Sequence, residues 1–142
     1  MFGAELLATP IVAASGSDVG GTMNVTSWTA SIQTPVSTGA RILTATGGND
    51  GYVYWDTAMA SGNLYVSTSN TLAPDLSRGS SYVVSTCLNC VDAAPNNSRM
   101  YIYNIYANAP AGSTLYLWAV AVSSVDSTTS RRVCPTAITV TT

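Results

Sequence analysis

Residues 114–123 read Thr-Leu-Tyr-Leu-Trp-Ala-Val-Ala-Val-Ser, and their alternation decides the fold class. Side chains of an extended chain point alternately to opposite faces, so Leu115, Leu117, Ala119 and Ala121 share one face and Tyr116, Trp118, Val120 and Val122 the other. Both faces are apolar, which predicts a central strand covered on two sides. Met100–Ala107 repeats the pattern, with Tyr101, Tyr103 and Ile105 opposite Ile102 and Tyr106. Burial on both sides in a chain of 142 residues implies a closed two-sheet core with a subunit interface, or an external groove lined by tyrosine.

Outward from that segment, β-branched and aromatic runs alternate with turn residues, and no stretch sustains a helical period. The predicted strands are Met23–Ile32, Ala40–Ala45, Gly51–Trp55, Asn63–Thr68, Ser81–Cys87, Met100–Ala107, Thr114–Ser123 and Arg132–Thr141. Gly47-Gly48-Asn49-Asp50-Gly51 and Ala60-Ser61-Gly62-Asn63 read as tight turns, and the segments around Pro95 and Pro110 as longer ones. The expected architecture is an all-β, antiparallel two-sheet sandwich of about eight strands, a jelly roll or an immunoglobulin-like alternative. Residues 1–20 lack alternation and are rich in Ala, Gly and Ser, so they read as an extended arm or linker ahead of a single domain over 21–142.

Composition removes whole classes of chemistry. The chain has no histidine and no lysine, and Glu5 is its one glutamate. A serine or cysteine nucleophile therefore lacks its usual base. Asp50 and Asp56 bracket one strand and stand roughly 20 Å apart at about 3.3 Å per residue, too far to share a substrate. The other acids sit mostly beside turn residues, so no carboxylate pair is expected and the chain is read as non-enzymatic. Five arginines against seven acids leave a net charge of −2, which argues against direct nucleic-acid binding. Leu6–Ala14 is apolar but is interrupted by Pro10 and preceded by Glu5; it reads neither as a signal peptide nor as a membrane span. Serine and threonine, 18 and 19 in number, supply the solvent face in place of charge, and so weakly charged a surface favours self-association.

Four features carry candidate chemistry. Cys87-Leu-Asn-Cys90 has the C-x-x-C spacing, and with Cys134 makes an odd set: inert buried thiols, a disulfide involving Cys134, or a metal or redox site. Asn49-Asp50-Gly51 is first a turn; structural calcium at a subunit interface is the one cofactor it leaves open. Asn24-Val-Thr26 and Asn96-Asn-Ser98 match the glycan-acceptor pattern. Trp55, Tyr101, Tyr103, Tyr106 and Trp118 are the candidate interface or glycan-stacking residues, with core anchoring the leading alternative for the tryptophans, Trp28 included.

The stretch Gly112-Ser-Thr-Leu115-Tyr116-Leu-Trp-Ala-Val-Ala-Val resembles the late strand of small RNA-virus capsid jelly rolls, where a glycine-led G-x-L-Y opens a long apolar strand. The low-charge Ser/Thr/Ala/Gly composition and the ending Thr-Val-Thr-Thr resemble protruding domains of nodavirus- and tombusvirus-like coat proteins. The motif covers about a tenth of the chain, the remainder being similar in composition only. The resemblance implies a virion structural protein, a coat, protruding or decoration domain that assembles with neighbouring capsid subunits and meets a host receptor or glycan on outer loops. The chain departs from capsid shell domains in lacking a basic RNA-packaging arm and an acid cluster for calcium. Two alternatives stand beside it: an extracellular glycan- or protein-binding module, and a fibre or pilin-like subunit whose Leu6–Ala14 segment donates a strand.

Overall fold

The computed structural model describes residues 18–29, 32–42, 51–71, 82–93, 95, 97–102 and 104–142. Among them are nine strands and no helix: β1 (Val25–Trp28), β2 (Val36–Ser37), β3 (Tyr52–Trp55), β4 (Met59–Ser67), β5 (Val83–Cys87), β6 (Arg99–Tyr101), β7 (Thr114–Ser123), β8 (Thr129–Val133) and β9 (Ile138–Thr141). They form two sheets, one of three strands in the order β1-β3-β6 and one of six in the order β2-β9-β7-β4-β5 with β8 also on β7. The expected all-β sandwich is present. One pairing departs from the antiparallel expectation, since β2 runs parallel to β9.

β7 is the organising strand, as its alternation requires. One edge pairs with β4 over most of its length, while the other is shared by β9 near Leu115 and β8 from Trp118 to Val122. Leu115, Leu117, Ala119 and Ala121 enter the main core with Val53, Leu64, Val66, Met100 and Ile102. Trp118 and Val120 form a second cluster with Tyr65 and Val133 on the far face of the large sheet. Each fully buried aliphatic side chain here contributes about 1.5–3 kcal/mol.

Three sequence expectations are corrected. Ala60-Ser61-Gly62-Asn63 is no turn but lies inside β4. Gly62 is there for clearance: a Cβ would stand 2.7 Å from the Met100 sulfur and 3.0 Å from a Val91 methyl. Met100–Ala107 is not one strand, because pairing stops at Tyr101 and Asn104 takes a left-handed φ of 55°; Ile102, Ile105 and Ala107 fill the core from irregular backbone. Arg132–Thr141 divides into β8 and β9, with Pro135 in the break. Of Ala40–Ala45, residues 40–42 hold only an isolated bridge between Arg41 and Tyr106, and 43–45 lie outside the described residues.

The two sheets are tied along both sides. On one side β5 ends at Cys87, the chain turns through Asn89 at φ 56°, and the Asn89 N–H donates to Asn63 Oδ1 at 2.8 Å. The Cys90 N–H then donates to the Gly62 carbonyl of β4, while the Tyr101 N–H of β6 donates to the Cys90 carbonyl, each at 3.0 Å. Cys90 thus bridges the large sheet to the small one. On the other side residues 18–23 run along β8: Val19 and Arg131 exchange N–H···O bonds of 2.8 and 2.9 Å, Asp18 Oδ1 accepts from the Val133 N–H, and Ser130 Oγ accepts from the Met23 N–H. Asp18 and Val19, expected in the arm, are therefore hydrogen-bonded to the sandwich. Residues 1–17, with the strand-donor segment Leu6–Ala14, lie outside the described residues.

Candidate functional site: an aromatic face on the small sheet

Strand alternation builds the site. In β3, Tyr-Val-Tyr-Trp sends Val53 and Trp55 into the core and leaves Tyr52 and Tyr54 half-exposed on the opposite face. In β6, Arg-Met-Tyr buries Met100 and leaves Arg99 and Tyr101 half-exposed. Register sets Tyr52 opposite Tyr101 and Tyr54 opposite Arg99, and Ser27 of β1, exposed, stands opposite Tyr54. Cross-strand partners share a face, so Ser27, Tyr54 and Arg99 make one row and Tyr52 and Tyr101 the next.

Charge on this face is held close. Arg99 Nε donates to Asp92 Oδ2 at 2.7 Å, and the guanidinium carbon stands 4.2 Å from the centre of the Tyr52 ring, a cation–π distance. The Tyr52 and Tyr54 rings are 5.8 Å apart and tilted by 52°. Asp92 Oδ1 accepts from the Ala93 N–H at 2.9 Å. The Arg99 N–H holds the Asp92 carboxyl below its ordinary range, and the same bond pushes Arg99 up. The face carries an ion pair that persists at physiological pH and no net charge.

The remaining candidates separate. Trp55 and Trp118 are not stacking faces: they are 4% and 0% exposed. The Trp118 Nε1–H donates to the Ser69 carbonyl at 2.8 Å, whereas Trp55 Nε1 has no partner within the core. Tyr106, 36% exposed, lies beside β5, where its N–H donates to Ser85 Oγ, and takes no part in the Tyr52–Tyr101 face. Tyr103 lies outside the described residues. Cys87 and Cys90 are joined by a disulfide with Cα atoms 6.1 Å apart, and Cys134 is a buried free thiol. The bridge weighed for Cys134 is corrected by distance: it sits three strands across the sheet from Cys87, about 14 Å at ~4.8 Å per strand, against roughly 7 Å for a bridgeable pair. Of the two glycan-acceptor asparagines, Asn24 is exposed and Asn96 lies outside the described residues, as does the Asn49-Asp50 pair weighed for calcium. Among the described residues no three acids or cysteines gather to hold a metal.

Ser27, Tyr52, Tyr54, Asp92 and Arg99 were not among the sequence candidates. Their signal was a period of two, Tyr-x-Tyr in residues 52–54 and Arg-x-Tyr in 99–101, which places like-facing side chains on neighbouring strands only once the register is known. No family model, curated protein or solved structure matches this chain.

The other described acids accept hydrogen bonds that tie the segment ahead of β1 to the sandwich. Asp126 accepts from the Thr22 hydroxyl at 2.6 Å and from the Thr128 N–H and hydroxyl, which together bring its carboxyl down to about 2. The Asn24 N–H lowers Asp56. Carboxyls depressed in the fold contribute stability that is complete above their unfolded values near 3.9 and lost as pH falls through the folded ones. With no histidine, the melting temperature is expected to stay flat from about pH 5 to 8 and to fall between about pH 4 and 2. A series of thermal melts checks this; a step near pH 6 contradicts it.

Proposed function

We propose that this chain is a non-enzymatic contact module of a virion surface, a coat, protruding or decoration domain that assembles with its own copies and displays the outer face of the β1-β3-β6 sheet. The observation that carries a contact role is the distribution of side chains. Tyr52, Tyr54 and Arg99 are gathered on the outer face of one small sheet, beside a half-buried Tyr101 that also packs against the core, a composition favoured at contact surfaces. The acids Asp56, Asp92 and Asp126 are each spent on hydrogen bonds within the fold. A low-charge, hydroxyl-rich exterior supports homotypic assembly, and the Gly112–Val122 resemblance supports the virion setting. The outward face also favours a second reading, an extracellular glycan- or protein-binding module that works as a monomer.

Multi-angle light scattering over about a tenfold range of protein concentration divides the two. A mass that is a fixed multiple of the 14.7 kDa chain is expected. A monomer throughout overturns assembly and leaves the second reading.

A further inference from the structure

We infer that the outer face of the small sheet is a binding site for a neutral carbohydrate, with Tyr54 as its stacking ring and the Arg99–Asp92 pair as its hydroxyl-binding edge. The inference rests on the proposal that this face is the displayed one, and adds the class of ligand.

Size points away from a protein partner. The face is made by six residues, Ser27, Tyr52, Tyr54, Asp92, Arg99 and Tyr101, against about 20–30 from each partner in a stable protein interface. So small a face suits one or two sugar rings. Charge points to a neutral ligand. Arg99 is already neutralised by Asp92 at 2.7 Å and held over Tyr52 at 4.2 Å, so an anion would have to break that pair. A polyol can instead add hydrogen bonds to the carboxylate and the guanidinium while the pair stays intact, since each has further bonding positions. With Arg99 covering one side of Tyr52, the Tyr54 ring, set at 52° to it, hydrogen-bonded to Arg99 and flanked by the exposed Ser27, offers its surface to the C–H face of a sugar.

Saturation-transfer NMR with lactose, cellobiose, maltose and diacetylchitobiose, and with sialyllactose as the charged comparator, tests the site. At least one neutral disaccharide is expected to saturate. Tyr54→Ala should weaken it about tenfold, Tyr54→Phe should keep most of the affinity because the ring remains, and Tyr106→Ala, on another surface, should leave it unchanged. Failure of every neutral probe, binding of sialyllactose alone, or binding that survives Tyr54→Ala overturns the inference. So does a Tyr54→Ala variant that binds no sugar but changes the mass seen by light scattering, which makes the face a subunit interface. An assembled wild-type chain that binds no sugar removes this inference and leaves the assembly reading; a monomer that binds does the reverse.

Discussion

Trp118→Ala lowers the free energy of unfolding by about 3–5 kcal/mol, read in urea as a lower midpoint at unchanged slope. The side chain is completely buried, yet it lies outside the main core, in the cluster with Tyr65, Val120 and Val133. It stands opposite Tyr65 on β4 and Val133 on β8, so its loss leaves a void touching three strands at once. The variant also removes the indole donor to the Ser69 carbonyl, which costs about a further 1 kcal/mol. Trp118→Phe keeps much of the volume and loses the hydrogen bond, so a smaller fall is expected. An effect of Trp118→Ala below about 1 kcal/mol means that the far face of the large sheet is not packed as described.

Gly21→Ala is expected to cost about 2–4 kcal/mol. Gly21 has a left-handed φ of 69°, and a Cβ built on it would stand 2.6 Å from Ser130 Cα, a backbone atom of β8. A flexible side chain could swing aside; a strand paired along β7 cannot. The substitution must therefore push residues 18–23 off β8, breaking the Val19–Arg131 and Met23–Ser130 bonds. Gly39→Ala is the control, since Gly39 shares the left-handed backbone at φ 80° with nothing within 4 Å of its added methyl; it should cost only the conformational penalty, about 1–2 kcal/mol. Equal effects at the two glycines, compared by thermal melts, contradict the close approach to β8.

β7 was legible because both of its faces are apolar, and apolar alternation over ten residues has one cheap solution, a central strand. β3 was legible as a short aromatic and β-branched run, with one face in the core and the other half-exposed. What the sequence hid was decided across space. Gly62 looks like a turn residue in Ala-Ser-Gly-Asn, but its lack of a side chain serves the Met100 sulfur and Val91, which are distant in the chain. Met100–Ala107 has the apolar density of one strand, and only the left-handed Asn104 reveals that β6 stops at Tyr101 and that the rest is buried with no more than an isolated bridge. The Cys87–Cys90 pairing depends on a change of direction. Side chains three apart in a strand cannot face the same way unless the chain turns, and at Leu88–Asn89 it does turn. The candidate site was half visible. Tyr101 lies where the pattern puts it and Trp55 and Trp118 are buried, as the favoured core-anchor reading expects, while Tyr54 and Arg99 gain their meaning from a register that no local pattern contains.

The melting temperature of Tyr54→Ala tests most directly whether the outward face exists for contact and not for folding. Tyr54 stands on the opposite side of β3 from Val53 and Trp55, the residues that enter the core. A fall of no more than a few degrees is predicted, in keeping with a substitution outside the core. A loss of stability comparable to that of Trp118→Ala would show that the tyrosine face is part of the packing and contradict the account.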